Sequence, residues 1–413
     1  MPAAQRPSDA ERPARILAFA YACEPGKGSE PGAGWAWAGI LGRLAETWII
    51  TRENNRDAIE SALPSIPHAT SLHFVYVDLP ARARRWKRGQ RGVHLYYLLW
   101  QRKALERARQ LEAEHRFDLV WHLTMANVWM GSLAARVGPP FIYGPVGGGI
   151  KAPWSFAPVL GVRGLVFESV RTAAQLAGRY LNPIAREAWR RAQVILVQNP
   201  ETRTWLPPRH RGKTIVLPNA IAPEHSPDPE VARATRSPTA VYVGRLLPWK
   251  GVALAIRAIA KAEGWRLIVI GSGSDAPRLH RLVRRLGVGD RVEFAGKVEH
   301  DRVVSEMRER ADVFLFPSLR EEAGLVVLEA LTAGLPVICL DRGGPPILAG
   351  AAGMTVGTAR SPSQVAGEIA DLLIEGSFPE ASTIAEQAAA FSETARARAV
   401  RDLVGATAED DPE

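Results

Sequence analysis

Two successive series of short apolar runs, rich in β-branched and aromatic residues and separated by stretches of helical period, constrain this chain most. The first series is "RILAFAY" (15 to 21), "WIITRE" (48 to 53), "LHFVYVDL" (72 to 79), "FDLVWHLT" (117 to 124), "PFIYGPV" (140 to 146) and "QVILVQN" (193 to 199). Runs this short and this apolar read as strands covered on both faces, with the helical stretches as the crossovers that parallel pairing requires. A polar, Pro-marked stretch, "IAPEHSPDPEVARATRSPT" (221 to 239), breaks the rhythm. The second series then begins: "AVYVGRL" (240 to 246), "RLIVIGSG" (266 to 273), "RVEFAGKV" (291 to 298), "DVFLFPS" (312 to 318) and "LPVICLD" (335 to 341). The expected fold class is α/β, two doubly wound Rossmann-like domains with a boundary near residue 230. At 413 residues the chain exceeds what one hydrophobic core sustains, which agrees with two domains. Ligands of such sheets sit beyond the carboxyl ends of the strands, so the cleft between the domains is the place to look for chemistry.

Composition narrows the setting. No apolar run reaches the roughly eighteen residues a membrane span needs. The opening "MPAAQRPSDAERPAR" is polar and lacks the apolar core of a secretory leader, and Cys23 and Cys339 have no metal-ligand spacing around them. A reducing cytoplasm is the expected localisation. Fifty-two Lys and Arg against 43 Asp and Glu give a net charge of +9, which suits phosphates, anionic lipid heads or nucleic acid without choosing among them.

The segment "PSLREEAGLVVLEALTAGLPVICL" (317 to 340) raises a sharper question, because an interior-bound run keeps acids at Glu321 and Glu329. It reads as a loop leaving a buried strand, a short helix over 325–333 closed by Gly334 and Pro336, and another buried strand. Glu321 then stands ahead of the helix and Glu329 about one turn inside it, placed to grip opposite ends of one polar ligand. Between them the amides of Gly324, Leu325 and Val326 begin the helix, where an anion such as phosphate is favoured.

Glu, seven residues, Glu in this frame resembles the donor signature of retaining glycosyltransferases of the GT-B fold, family 4. Other motifs agree in order: "VGRLLPWKG" (243 to 251) resembles that family's pyrophosphate segment, "VIGSGSD" (269 to 275) its glycine loop, and "VEFAGKVEH" (292 to 300) its base-contacting strand and turn. The resemblance implies two domains facing across a cleft: an acceptor domain over 1–228, a nucleotide-sugar donor domain over 229–385, and a terminal segment 386–413. In that last segment "FSETARARAVRDLV" (391 to 404) is similar to a helix that crosses back to the first domain. It further implies that Glu321 holds sugar hydroxyls and Glu329 the ribose, with Gly244, Gly271, Gly273, Lys297 and Val298 also on the donor. Glu322 receives no role. The plainer reading of the two glutamates, solvent acids flanking a core helix, leaves the companion motifs without a purpose.

Arg245 and Lys250 follow a strand ending in Gly244, which puts two cations at the carboxyl edge of the second sheet. They could meet one diphosphate and stabilise its growing charge as the glycosidic bond breaks. A nucleoside diphosphate sugar is therefore the expected substrate, with no cofactor and no metal, since no Asp-x-Asp pair is seen. Trp249 between them is expected to pack.

In the first domain, "YACEPGKGSEPGAGWAW" (21 to 37) supplies Gly28, Gly32 and Gly34 as a turn against a helix N-terminus. A dinucleotide loop is an alternative reading, although the spacing differs; the resemblance puts Gly32 and Gly34 on the donor or acceptor. His122 ends the strand "FDLVWHLT"; alone it reads as a structural histidine, and by resemblance it becomes the candidate that touches the sugar near the reacting carbon. "YGPVGGGIKAPW" (143 to 154) is a glycine-rich turn assigned to the acceptor side. Asn219-Ala220 replaces the family's Asn-Gly, Ala323 replaces a commoner aromatic, and "GGPPIL" (343 to 348) lacks an acid often found there.

The segment 81–110 interleaves Arg and Lys with Trp86, Tyr96, Tyr97 and Trp100. It is expected either to anchor on an anionic membrane surface, bringing a lipid-linked hydroxyl acceptor, or to be a solvated helix whose aromatic side is core. Two rivals stand beside a glycosyltransferase of surface polysaccharide or glycolipid biosynthesis: a nucleotide-sugar epimerase of the same fold, and a basic nucleic-acid-binding protein. The second leaves the Glu arrangement unused, so no nucleic acid is expected as partner.

Overall fold

The computed structural model of the chain describes residues 14–80, 92–125, 127–222 and 237–409. Two all-parallel sheets organise it. The first contains β1 (Arg15–Phe19), β2 (Glu46–Thr51), β3 (Leu72–Tyr76), β4 (Leu119–His122), β5 (Phe141–Val146), β6 (Val194–Val197) and β7 (Thr214–Val216), in the order β3-β2-β1-β4-β5-β6-β7. The second contains β8 (Thr239–Val243), β9 (Arg266–Ile270), β10 (Val292–Gly296), β11 (Val313–Phe316), β12 (Val337–Leu340) and β13 (Gly353–Val356), in the order β10-β9-β8-β11-β12-β13. The boundary expected near residue 230 lies outside the described residues.

Both sheets reverse direction of winding between their first and fourth strands, β1 beside β4 and β8 beside β11. At such a switch point the loops after the two strands diverge to opposite faces and leave a crevice. The segments after β1, β4, β8 and β11 are the ones that carry most of the glycine and charge singled out in the sequence.

The apolar strand residues account for the cores. Ile16, Ala18, Trp121 and Ile142 pack with Trp37 and Ile40 of the helix Ser29–Leu44 on one face of the first sheet. Tyr97, Trp100 and Ala104 of the helix Val93–His115 cover the other. Tyr96, Tyr97 and Trp100 are therefore interior residues and cannot serve as interfacial anchors; Trp86 and the rest of 81–91 lie outside the described residues. The helix Glu393–Glu409 packs on Ser29–Leu44, with Ala397 and Val400 in the first domain's core and Arg43 paired to Glu393 at 3.0 Å. It thereby returns the chain from the second sheet to the first.

The helix Ala157–Leu181 also spans both halves. Its first residues, Val159 and Leu160, enter the second domain's core, and Gly161, with φ of 65°, bends the chain before the long remainder runs along the first domain.

Candidate active site

A cavity of about 830 Å³ lies between the two sheets' carboxyl ends, a volume suited to a ligand the size of a sugar nucleotide. Gly244, Arg245, Lys250, Lys297, Val298, Glu321, Gly324, Leu325, Val326 and Glu329 all line it. The loops after β8 and β11 bring the charged members together. Leu319 N–H donates to Trp249 O at 2.9 Å, and Gly251, with φ of 76°, sits so close to Pro317 that a Cβ would lie 1.7 Å from its carbonyl oxygen. Only glycine permits that approach. As a result Lys250 Nζ bonds directly to Glu321 Oε2, with both side chains mostly buried.

Arg245 is exposed at the cavity wall, its loop held by Tyr242 Oη–H donating to Arg245 O at 3.3 Å. Glu329 projects from the short helix Val326–Thr332, with His300 Nδ1 4.0 Å away. Burial raises the Glu329 carboxyl above its ordinary range, and His300 partly opposes that shift. A half-dry carboxylate that wants hydrogen-bond donors is well suited to neighbouring hydroxyls.

His122 does not reach the cavity. Its ring is buried, one nitrogen bonded to Tyr97 Oη at 3.1 Å and the other to Ser132 Oγ at 2.8 Å. Burial holds its pKa down at about 3, so the imidazole is neutral at ordinary pH. Successive strand residues face opposite sides, and His122 faces the covering helix Val93–His115 rather than the crevice. Beyond the strand it is Met125 and Asn127 that line the cavity, with Glu30 Oε1 accepting the Met125 N–H at 2.5 Å.

Four of the expected donor glycines are likewise packing residues. A Cβ on Gly32 would lie 1.9 Å from Lys27 O, and one on Gly34 2.1 Å from Ala22 O, so both let the helix Ser29–Leu44 press on the loop before it. Gly271 and Gly273 do the same for the loop after β9, against Gly244 O and Leu246 O. They shape the cavity wall from behind. Gly26 and Gly28 of the first loop do line the cavity, and Gly28 faces His300 from across the cleft.

Sequence reasoning missed the residues that tie the two domains. Glu322 Oε2 accepts from Asn199 Nδ2 at 3.1 Å and Thr202 Oγ1 at 3.4 Å, and its Oε1 accepts from Arg171 Nη2 at 3.4 Å. Burial raises its carboxyl as well, with Gly148 N–H and Arg171 acting against that rise. On the other side of Glu321, Arg320 pairs with Glu168 at 2.9 Å and lies over the Trp249 ring at 4.5 Å. Trp249 in turn stacks on Phe167 at 4.6 Å, so it packs, as expected, and does so between domains. The run "REE" in a loop was the available signal: three adjacent charges entering a crevice need partners, and while Glu321 finds Lys250 in its own domain, Arg320 and Glu322 find theirs in the other.

Residues 227–398 match the model of the family glycosyl transferases group 1. A GDP-mannose-dependent alpha-(1-6)-phosphatidylinositol monomannoside mannosyltransferase of Mycobacterium tuberculosis is 28% identical over 294 residues, 65% of this chain and 70% of that enzyme. A D-inositol 3-phosphate glycosyltransferase of Mycobacteroides abscessus is 34% identical over 158 residues, and an exopolysaccharide phosphotransferase of Streptomyces coelicolor 35% over 155; those matches take in 37% and 36% of this chain. They span only 35% and 16% of those two proteins' lengths. Among solved structures, the lipopolysaccharide outer core galactosyltransferase WaaB superposes with a TM-score of 0.63 at 16% identity, covering 95% of this chain and 99% of that one. Anabaena HepE in complex with UDP gives 0.59 at 18% identity, covering 95% and 100%. The chain has the two-domain GT-B fold, and its residues 227–398 are similar to the glycosyl transferases group 1 family.

Proposed function

We propose that this chain is a glycosyltransferase of family 4 that moves a sugar from a nucleoside diphosphate sugar to a hydroxyl acceptor with retention of anomeric configuration, in surface polysaccharide or glycolipid biosynthesis. The observation that carries the reading is the convergence of Arg245, Lys250, Glu321 and Glu329 on one interdomain cavity.

In this reading Glu329 takes the ribose hydroxyls, and the turn at Lys297 and Val298 meets the base. The diphosphate lies against Arg245, Lys250 and the amides at Gly324 to Val326. Glu321, held by Lys250, faces the transferred sugar's hydroxyls at the point where phosphate gives way to sugar. As the bond from the anomeric carbon to the phosphate oxygen lengthens, charge grows on that oxygen and fixed cations stabilise it more than in the ground state. The acceptor hydroxyl attacks from the same face and passes its proton to the departing phosphate oxygen. No protein nucleophile, cofactor or divalent ion is required by this chemistry. A lipid-linked acceptor accords with the phosphatidylinositol monomannoside in the name of the Mycobacterium tuberculosis relative; a cytoplasmic site at the membrane face belongs to the same reading.

Transfer assays with UDP-, GDP- and ADP-sugars, read by proton NMR of the new glycosidic linkage, test this. Retention is expected. An inverted product, or donor turnover that needs no acceptor hydroxyl as an epimerase would show, overturns it.

A further inference from the structure

Among the described residues, eight of the twelve exposed large apolar side chains belong to one short stretch, residues 154–181. Trp154, Val162, Val166, Val170, Tyr180 and Leu181 stand out from the helix Ala157–Leu181 and the turn before it, with Trp154 73% and Leu181 77% exposed. Val162, Val166, Val170, Leu176, Tyr180 and Leu181 fall within about 140° of one another at 100° per residue, which draws one stripe along the part of the helix beyond Gly161, about 30 Å long. Monomeric surfaces seldom leave so much apolar area together without a partner.

The charges on this surface are of one sign. Lys151, Arg163 and Arg186 are exposed, whereas Glu168 is buried and paired to Arg320, and Glu187 is held by Arg136 and Arg191. No exposed residue from 151 to 186 is acidic. Trp154 and Tyr180, ring-bearing side chains with a polar tip, lie near the two ends of the stripe, where headgroup-level anchors are favoured.

We propose that the outer face of the helix Ala157–Leu181, with Trp154, is a docking surface for an anionic lipid bilayer, on which the helix lies in the plane of the headgroups. The apolar stripe enters the acyl boundary and Lys151, Arg163 and Arg186 meet lipid phosphates. The inner face of the same helix carries Glu168 and Arg171, which touch Arg320 and Glu322 beside the cavity, and half-exposed Phe167, at the edge between the two faces, stacks on Trp249. Docking therefore holds the cleft one helix thickness from the headgroups, about 10 Å, within reach of a membrane-borne acceptor. That last step, delivery of a membrane-borne acceptor hydroxyl, rests on the proposed glycosyl transfer; the binding itself does not.

Flotation of the full chain with vesicles of phosphatidylcholine, with and without phosphatidylglycerol, at low and high salt, tests the surface. The wild type is expected to float with the anionic vesicles, less so at high salt. The double variant Val166→Glu, Val170→Glu should lose about ten-fold or more of that binding, while keeping the wild-type melting temperature and nucleoside diphosphate affinity. Ile374→Glu, an exposed apolar position elsewhere, should float like the wild type. Absence of flotation in both lipids, or flotation unchanged in the double variant, overturns the proposal. So does a dimer in light scattering that the double variant splits while vesicles bind nothing, since the occupant is then a second copy. If the wild type binds vesicles but no nucleoside diphosphate, the catalytic reading fails and the surface stands.

Discussion

The side-chain amide of Asn199 joins the two domains to Glu322 with both of its ends in use. Its Oδ1 accepts from Thr202 N–H at 2.9 Å and caps the helix Pro200–Trp205, which fixes the amide's orientation. Its Nδ2 then donates to Glu322 O at 2.9 Å and to Glu322 Oε2 at 3.1 Å. Glu321 thus sits between two interdomain ties, Glu322 on one side and the Arg320–Glu168 pair on the other. The placement of the two domains and the aim of Glu321 are therefore fixed by the same contacts.

Glu322→Ala should accordingly lower kcat by about ten-fold or more with little change in nucleoside diphosphate affinity. It also leaves Arg171 and Asn199 short of an acceptor, at a cost to stability of about 1–3 kcal/mol. Steady-state kinetics beside calorimetry and urea unfolding separates the two effects. Equal losses in affinity and turnover would place Glu322 on the ligand itself.

Lys250→Ala removes the cation paired with Glu321 and should reduce kcat by about 10²–10³-fold while the fold persists. Wild-type turnover in that variant would take diphosphate stabilisation out of the account.

Glu329→Ala should weaken nucleoside diphosphate binding by about ten-fold, the loss of roughly 1–2 kcal/mol of hydrogen bonding. Calorimetry with the nucleoside diphosphate checks it; unchanged affinity rejects the ribose role.

His122→Asn should leave turnover within about three-fold of wild type, since the ring is closed off from the cavity by Tyr97 and Ser132. Its mark is on stability. The folded pKa near 3 lies below the unfolded value, so the unfolded chain binds the extra proton. Stability held above the unfolded pKa is lost as pH falls from about 6.5 toward 3, by about 2 kcal/mol on reaching pH 5. Urea unfolding at about pH 7 and pH 5 should show this acid loss in the wild type and less of it in the variant.

Gly251→Ala should destabilise by about 1–3 kcal/mol or more, from the positive φ and the collision with Pro317 O. Because the same contact seats Lys250 beside Glu321, activity should fall below what the lost stability explains.

The strand rhythm was readable because both sheets are buried on two faces, which leaves near-continuous apolar runs in the sequence. Thr214–Val216 and Gly353–Val356 escaped notice: each is a short edge strand, and Ile215 faces outward, so neither shows such a run. The C-terminal site was legible for a related reason, since cations and acids stand out against buried strands. His122 was not, because a histidine at a strand end can face either side and one residue of register decides which. Asn199, Arg171 and Glu168 act across more than a hundred residues of sequence, and local pattern carries no trace of that. The helices 93–115 and 157–181 both carry apolar side chains among basic ones; only the three-dimensional arrangement separates the helix under the sheet from the helix facing outward.

A crystal soaked with a sugar nucleotide tests the central claim most directly. The account predicts its diphosphate against Arg245 and Lys250, its ribose on Glu329 and its sugar beside Glu321. Density for the nucleotide outside the interdomain cavity, or inside it with the diphosphate turned away from both cations, would contradict it.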